Sequence, residues 1–295
     1  MTPRIALIGP GRVGCAVAKH LYGAGFDFSA IVSRERHRAV SAAAYIGCSR
    51  LTAAEDPLAA AQADIVLLGV PDDQVRDTAV QYQQLVDCHD NKILIHFSGL
   101  LTAETMRYRS SQAKLLSLHP LFPFASRQQA YENLTHCPCA LEGDSEAITV
   151  GRELLTAFAG QAFLVPSEKK PLYHAAASMA SNYLVTLLAC ARDLMADCGI
   201  EAGKALELLL PLVQASVDNV KQLSPEQGLT GPIVRGDAGT VAAHLAGLKN
   251  SEEPLYAIYL ELGRKTLELA IQSGRLDTDR ARALETLLKP GKQTG

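Results

Sequence analysis

The sequence predicts an α/β domain followed by an all-α domain, and three observations support this. A glycine-rich motif directly follows an apolar run near the N-terminus, at Gly9–Gly14. Short apolar runs then alternate with helical segments as far as Val165, and after Pro166 strand patterns nearly vanish. Continuous apolar strands separated by helices are typical of a parallel sheet covered on both faces. We therefore expect an α/β domain at residues 1–165 and a helical domain at residues 166–295.

The order of the elements follows from these runs. Short apolar segments predict strands in the first domain, and longer helical periodicity predicts helices in the second, where prolines and nearby glycines separate them. The first predicted helix, Gly14–Gly23, leaves the glycine-rich motif. The predicted strands are Arg4–Ile8, Ser29–Val32, Ala63–Val70, Lys92–Phe97, Lys114–Leu118, Cys139–Leu141 and Ala162–Val165.

The composition is that of an ordinary globular chain, with 48% hydrophobic and 20% charged residues among 295. The formal net charge of -3 argues against a nucleic-acid partner. No apolar run reaches the length that crosses a bilayer, and the N-terminus has no signal-peptide pattern. We therefore expect a cytoplasmic protein that binds neither membranes nor nucleic acid.

The cysteines do not predict a metal site. There are seven, irregularly spaced, and Cys137 and Cys139 form a C-x-C pair without a second pair at zinc-finger spacing. Buried thiols in a reducing compartment are the interpretation that this pattern favours.

The glycine-rich motif has the spacing G-x-G-x-x-G and lies between a predicted strand and a predicted helix. In that context it is typical of a Rossmann-type dinucleotide-binding domain. Gly9 permits the tight turn, Gly11 lets the backbone approach the pyrophosphate, and Gly14 lets the helix pack close to the sheet.

The helix that leaves the motif supplies the phosphate contacts. Its first turn offers unpaired N–H groups and a partial positive charge to an anion. We expect Arg12 and Val13 to bind the cofactor together with the three glycines. The alternative is a glycine-rich turn that holds no ligand.

The end of the second predicted strand indicates which dinucleotide is bound. An acid at this position takes the ribose hydroxyls of NAD, whereas this chain has Ser33 and Arg34, with Arg36 and Arg38 close by. A guanidinium and a hydroxyl suit a 2′-phosphate. Glu35 competes with this interpretation, as does the alternative of arginines at a solvated helix start. The sequence thus predicts NADP(H) in preference to NAD(H).

Two later strand ends are expected to border the nicotinamide. Val70 and Pro71 end one strand, and Ser98 follows the next. Ligands in such sheets bind beyond the carboxyl ends of the strands, which places Ser98 well for cofactor and substrate. A simple turn serine is the alternative. Asp72 or Asp73 is expected to be a helix N-cap and not a catalytic acid.

Four polar residues are spaced four apart in a segment otherwise rich in Ala, Leu and Val: Lys170, His174, Ser178 and Asn182. On one helix they form a polar stripe that can line a cleft. A lysine or histidine there can donate a proton to a carbonyl as hydride arrives, Ser178 can contact substrate, and Asn182 can orient substrate or ribose. The alternatives are that Lys170 caps the helix, because Pro171 favours the first helical turn, and that each residue alone has a packing role.

Two more residues are candidates for substrate contact. His119 ends a predicted strand before Pro120, where it either faces the reacting group or fixes the loop. Arg235 lies in a loop rich in turn-forming residues and can clamp a carboxylate. Asp237 either pairs with Arg235 or caps the predicted helix Thr240–Leu248. Arg235, Lys170 and the two histidines together favour a small anionic substrate.

The N-terminal half resembles the 6-phosphogluconate dehydrogenase-like superfamily, which includes ketopantoate reductase, pyrroline-5-carboxylate reductase and prephenate dehydrogenase. The whole chain is most similar to Rossmann-like proteins that carry a DUF2520 domain. His119-Pro120 is similar to the HP motif of prephenate dehydrogenases. The matching segments are Gly9–Gly14, Val70–Asp72, His96–Gly99, His119–Leu121, Lys170 with Tyr173–Ala177, Ser181–Tyr183, Thr230–Ile233 and Arg235–Asp237.

This resemblance implies a substrate cleft between the two halves and a homodimer built on the helical domain. It implies an NADP-dependent oxidoreductase acting on a small 2-oxo acid such as ketopantoate. A prephenate- or arogenate-type dehydrogenase, an imine reductase and a non-catalytic NADP(H)-binding regulator are the alternatives. The hydroxyacid dehydrogenases of the superfamily carry Asn four residues after the Lys, whereas this chain has His174 after Lys170.

Overall fold

The computed structural model describes residues 3–86, 88, 92–109, 111–249 and 253–289. The chain forms two compact units, Met1–Tyr183 and Leu184–Gly295. The first unit contains the sheet and the helices that cover it, and the second is helical throughout its described residues. The predicted fold class, an α/β domain followed by an all-α domain, is confirmed.

Eight strands of the first unit form one sheet. Their bounds are β1 Arg4–Ile8, β2 Asp27–Val32, β3 Ala53–Ala54, β4 Ile65–Leu68, β5 Ile93–His96, β6 Lys114–Pro120, β7 Pro138–Gly143 and β8 Gln161–Leu164. The strand order is β3-β2-β1-β4-β5-β6-β7-β8. Neighbouring strands run parallel, except that β6 and β7 are antiparallel. The order from β3 to β6 is that of a Rossmann dinucleotide-binding sheet.

The described residues of the first unit form six α-helices. They are α1 Arg12–Gly23, α2 Arg36–Ile46, α3 Asp72–Leu85, α4 Arg127–Leu134, α5 Ser145–Leu155 and α6 Lys170–Ser178. Successive strand residues point to opposite faces of the sheet. Leu7 therefore packs with residues of α1, α2, α4 and α5, whereas its neighbour Ile8 packs with residues of α3. Both faces are buried, which is why the strands read as continuous apolar runs.

The described residues of the second unit form six α-helices. They are α7 Leu184–Asp197, α8 Ala202–Gln222, α9 Pro225–Gly228, α10 Ala238–Leu248, α11 Glu253–Gln272 and α12 Thr278–Leu287. Its core joins Val241 and Leu245 of α10 to Leu260 and Leu267 of α11 and Leu284 of α12. By contrast, the described residues of α7 include no buried side chain. No helix among the described residues is long and apolar enough to cross a membrane.

The strand predictions are confirmed in position but not in every bound. The predicted strand Ala63–Val70 contains β4, which is only four residues long because Gly69 and Val70 already belong to the turn that packs on the glycine-rich motif. The two-residue strand β3 was too short to leave a pattern. The antiparallel pairing of β6 with β7 also departs from the expected parallel sheet, because an apolar run does not encode strand direction.

The boundary between the units also departs from the sequence prediction. The expected boundary lay between residues 165 and 166, whereas the compact units divide between Tyr183 and Leu184. The reason is α6, whose first residue, Lys170, is buried among residues of the sheet. The change in texture after Pro166 marks the end of the strands and not the end of the first unit.

We predict that Gly11→Ala destabilises the protein by about 2 kcal/mol, because the new methyl group is forced into tightly packed backbone. Gly11 has an ordinary φ of -69°, but a Cβ there would lie 2.5 Å from the carbonyl oxygen of Gly69. Urea unfolding measures the change. The control is Gly23→Ala, at a helical position with nothing within 4 Å of the new Cβ, which should be neutral or stabilising. Equal stability of the two variants would contradict the prediction.

Candidate active site

The glycine-rich turn connects β1 to α1 and packs against the end of β4. Gly9 has a φ of +73°, which favours glycine, and a Cβ there would collide with the side chain of Val70. A Cβ on Gly14 would lie 3.0 Å from Leu7 and 3.2 Å from the Cα of Gly69. The close packing predicted for Gly14 is therefore observed, and Gly11 is confined by the protein's own backbone.

The N-terminus of α1 is suited to an anion. Its N-cap is Gly11, which has no side chain to cap the helix, and the first turn holds no acidic residue. The opening N–H groups of Arg12 and Val13 thus keep their partial positive charge for a ligand. A dinucleotide pyrophosphate fits this end of the helix.

The residues after β2 fit a phosphorylated ribose. Arg34 is exposed and donates a hydrogen bond of 3.3 Å to the amide oxygen of Gln74, at the start of α3. The carboxylate of Glu35, the competing acid, lies 2.9 Å from the guanidinium of Arg38 in α2. Ser33 accepts a bond of 3.4 Å from the N–H of Glu35. The carboxylate is thus paired, while the Arg34 guanidinium lies at the strand end.

Ser98 is a buried junction of the loop after β5. Its hydroxyl donates to Asp72 at 2.5 Å and accepts from the N–H groups of Leu100 and Leu101 at 3.1 and 2.9 Å. The hydroxyl therefore fixes the loop, as the turn-serine alternative expected. Asp72 is the first residue of α3 and Pro71 is its N-cap, so the expected capping role of Asp72 is not observed. The carboxylate instead holds Ser98.

His96, at the end of β5, is buried and neutral. Its Nδ1 accepts from the N–H of Ser98 at 3.1 Å, and its Nε2 donates to the carbonyl of Thr102 at 3.2 Å. Burial lowers the pKa of His96 to about 4. Both ring nitrogens thus bond to backbone groups, and this side chain shapes the loop.

Lys170 is almost completely buried, with 1% of its surface exposed. Its ammonium donates to the hydroxyl of Ser117 at 2.6 Å and to the carbonyl of Ser98 at 3.3 Å, and lies 4.0 Å from the carboxylate of Glu142. Burial lowers the pKa of Lys170, and the carboxylates of Glu142 and Asp72 oppose that shift. The ammonium therefore ties α6 to the ends of β5 and β6.

Glu142 is the buried counterion of Lys170, and no sequence pattern marks it. One oxygen accepts from the N–H of Ala103 at 2.8 Å, and the other accepts from the hydroxyl of Ser167 at 2.7 Å. It lies in β7, inside a run that reads only as a short strand. Both oxygens of the carboxylate therefore hold a hydrogen-bond donor besides the Lys170 ammonium.

His119 is paired with a tyrosine that the sequence interpretation did not single out for chemistry. The hydroxyl of Tyr173 lies 2.7 Å from Nδ1 of His119. Burial raises the pKa of Tyr173 to about 12, so the phenol keeps its proton and can donate a hydrogen bond to Nδ1. Burial also lowers the pKa of His119 to about 4, aided by His174 and Lys170. His119 is therefore a neutral imidazole, and with Tyr173 as the donor its own proton is on Nε2.

His174 faces His119 across Gly99. The two ring centroids lie 6.0 Å apart. A Cβ on Gly99 would lie 2.6 Å from Nδ1 of His174 and 2.9 Å from Nε2 of His119, so only glycine lets both rings approach this point. Nδ1 of His174 is buried and has no hydrogen-bond partner among the described residues. A buried, unsatisfied nitrogen is costly and marks a place for a ligand or water.

The structure brings Lys170, His119 and His174 together, but it does not extend the polar stripe. A π-helical turn at Met179–Tyr183 follows α6 and interrupts the spacing of four on which the stripe depends. Ser178, half-buried, is the last residue before this turn, and Asn182 lies exposed within it. Their predicted roles stay predictions.

The predicted carboxylate clamp belongs to the second unit. Arg235 is exposed, and its carbonyl accepts a hydrogen bond of 3.0 Å from Arg280. Asp237 caps α10 by accepting from the N–H of Thr240 at 3.0 Å, as the capping interpretation expected. The role of Arg235 toward substrate stays a prediction.

Each half of the chain matches a known family model. Residues 137–266 match the family model for a domain of unknown function, DUF2520. Residues 4–98 match the family model described as NADP oxidoreductase, coenzyme F420-dependent. A comparison with curated protein sequences finds no match.

Several solved structures share the fold along nearly the whole chain. Protein TM1727 from Thermotoga maritima is 26% identical, with a TM-score of 0.72, over 92% of this chain and 99% of that one. A Plasmodium falciparum pyrroline carboxylate reductase with NADP bound is 12% identical, with a TM-score of 0.57, over 97% and 98%. An imine reductase variant from Myxococcus stipitatus in complex with NAD+ is 18% identical, with a TM-score of 0.60, over 98% and 100%.

We predict that Lys170→Met destabilises the protein by about 3–5 kcal/mol, because it leaves Glu142 as a buried charge without its counterion. The double variant Lys170→Met with Glu142→Gln should recover part of that loss. A neutral amide oxygen can still accept from Ala103 or Ser167. Urea unfolding of the two single variants and the double variant measures the coupling. A double variant that loses the full sum of the single losses would contradict the pairing.

Proposed function

We propose that this chain reduces a small carbonyl compound with NADPH. The chain is a Rossmann-like protein with a DUF2520 domain, and it is an NAD(P)-dependent oxidoreductase. A 2-oxo acid such as ketopantoate is the leading substrate. The observation that carries the proposal is the approach of His119 and His174 to Gly99. Gly99 follows β5 and His119 lies near the end of β6, and the carboxyl ends of parallel strands such as β1 and β5 share one edge of the sheet.

The histidines provide what a carbonyl needs as it is reduced. NADPH supplies the hydride when it is bound. His119, held by Tyr173, presents the N–H of Nε2 and donates a hydrogen bond that polarises the carbonyl oxygen. Because His119 donates only a hydrogen bond and does not transfer its proton, it stays a neutral imidazole during the reaction. His174 is half-buried and, as an imidazolium, delivers the proton that completes the hydroxyl group and is left as a neutral imidazole.

The other predicted residues have supporting places in this scheme. Lys170 holds the carbonyl of Ser98 and the hydroxyl of Ser117, so it keeps the loop that carries Gly99 in position. The charge of Lys170 also helps to keep His119 neutral. Arg235, on the second unit, stays a prediction for binding a substrate carboxylate.

The preference for NADP(H) over NAD(H) is part of the proposal. It is supported by Ser33 and Arg34 at the end of β2, and by the ion pair that occupies Glu35. Solved structures of the same fold hold either NADP or NAD+. The chain's own residues at the ribose position therefore carry this preference.

Other functions stay open beside a 2-oxo acid reductase. His119 next to Pro120 favours a prephenate- or arogenate-type dehydrogenase, in which the same side chain contacts the hydroxyl being oxidised. The likeness in fold to pyrroline carboxylate and imine reductases favours an imine as substrate. A non-catalytic NADP(H)-binding regulator would bind the cofactor without turnover.

We also propose that the chain forms a homodimer through its helical unit. Both α7 and α8 expose large apolar side chains, among them Val185 and Leu212, each with about two thirds of its surface accessible. Leu208, Leu210 and Val217 continue this surface along α8. Exposed apolar area on this scale is typical of a protein interface.

We predict that the purified protein consumes NADPH with one member of a panel of 2-oxo acids that includes ketopantoate, and that NADH is the poorer cofactor. The panel should also contain prephenate, arogenate and a cyclic imine, with oxidation assayed for the first two. Turnover of an imine alone would replace the leading substrate. NADPH binding without any turnover would favour the regulator.

We predict that His119→Phe lowers turnover about a hundredfold or more, because it removes the hydrogen bond to the carbonyl oxygen. NADPH affinity should change little. The control is His20→Phe on α1, where Nε2 bonds to the carbonyl of Tyr131 away from Gly99. Steady-state kinetics and an NADPH titration on both variants give the comparison. Unchanged turnover in His119→Phe would reject the assignment.

We predict that Leu212→Glu converts the dimer into a monomer, because it places a charge on the apolar face of α8. Light scattering on the eluted protein measures the mass. Leu262→Glu on α11, a substitution of a less exposed leucine on another helix, is the control. A parent protein that is already monomeric would exclude the proposed dimer.

A further inference from the structure

Arg127 reaches the glycine-rich turn from a distant part of the chain. It is the first residue of α4, and its Nη2 donates a hydrogen bond of 2.9 Å to the carbonyl of Pro10, 117 positions earlier in the sequence. Pro10 lies between the first two glycines of the dinucleotide motif. No sequence pattern connects the two residues.

This bond holds one end of a peptide unit whose other end is also held. The N–H of Gly11 donates to the carbonyl of Gly9 at 2.8 Å and to that of Gly69 at 3.2 Å. A trans peptide is planar, so the carbonyl of Pro10 and the N–H of Gly11 point in opposite directions. Arg127 and Gly69 therefore hold the same peptide plane at its two opposite edges. Because Gly11 is the N-cap of α1, this plane sets the direction in which the helix begins.

The helix α4 gives no reason for a positively charged side chain at Arg127. A cation in the first turn of a helix opposes the helix dipole. The capping of α4 is provided by Ser126, whose hydroxyl accepts from the N–H of Gln129 at 3.2 Å. The backbone of Arg127 is held separately, because its carbonyl accepts from the hydroxyl of Tyr45 at 2.7 Å. The guanidinium serves the glycine-rich turn and not α4.

We propose that Arg127 is a positioning residue for the pyrophosphate of the dinucleotide. It holds the peptide between Pro10 and Gly11 in the orientation from which the first turn of α1 binds phosphate, and it adds a positive charge beside that turn. The inference rests on the proposed function, because it takes this turn to bind a dinucleotide. Since NADPH and NADH share the pyrophosphate, Arg127 acts on both, whereas Arg34 acts on the 2′-phosphate alone.

Titration of the full chain with three ligands separates these roles: NADPH, NADH and adenosine 2′-monophosphate, which has no pyrophosphate. Arg127→Met should raise the Kd of both dinucleotides about tenfold, as expected for the loss of one charge-assisted hydrogen bond. It should leave the Kd of the monophosphate unchanged. Arg34→Ala should show the reverse, a loss of NADPH and monophosphate binding with NADH unaffected.

Two further variants distinguish positioning from a general structural role. Arg127→Lys keeps the charge and can still donate to Pro10, so it should recover part of the lost affinity. Tyr45→Phe removes the other tie to the same residue but leaves the guanidinium, and it should bind all three ligands like the parent protein. Circular dichroism verifies that each variant is folded.

The assignment is overturned if folded Arg127→Met binds both dinucleotides within about twofold of the parent. It is also overturned if the Kd of the monophosphate rises as much as the Kd of the dinucleotides, because that would indicate a disturbed domain. A parent protein that binds neither dinucleotide would instead defeat the proposed function and take this inference with it.

Discussion

One buried ammonium group holds the proposed active site together. The charge of Lys170 is stabilised by Glu142 and by hydrogen bonds to the hydroxyl of Ser117 and the carbonyl of Ser98. These partners come from β6, β7 and the loop after β5, and Lys170 itself begins α6. A buried charge is stable only with all its partners in place. The helix that carries His174 and the loop that carries Gly99 are therefore fixed relative to each other by the same requirement.

Burial also determines the chemistry of the two strand-end histidines. It lowers the pKa of both His96 and His119 to about 4, so each is a neutral imidazole with one donor and one acceptor nitrogen. Both nitrogens of His96 bond to backbone groups, and the residue shapes its loop. In His119, Tyr173 occupies Nδ1 and directs the proton to Nε2, beside Gly99. The same physical effect thus gives one structural histidine and one that is suited to polarise a carbonyl.

Much of the fold could be predicted because its signals are local. Continuous apolar runs placed β1 and its neighbours, and the glycine spacing placed the turn before α1, because both depend on a few consecutive residues. Strand direction is not local, so the antiparallel pairing of β6 with β7 was missed. Spacing along a helix is local only while the helix is regular. The π-helical turn at Met179–Tyr183 therefore ended the stripe predicted from Lys170 to Asn182.

The class of each half, the dinucleotide turn, and the polar residues from which an active site can be built were all predictable from the order of the residues. The contacts of those residues, and so their roles, came from the tertiary structure. It buried Lys170, used the hydroxyl of Ser98 within its loop, paired His119 with Tyr173, and brought in Glu142 and Arg127, which no motif marks. The reason is physical: a pKa, a tautomer and an ion pair depend on contacts between residues far apart in the chain, and no run of neighbouring residues records them.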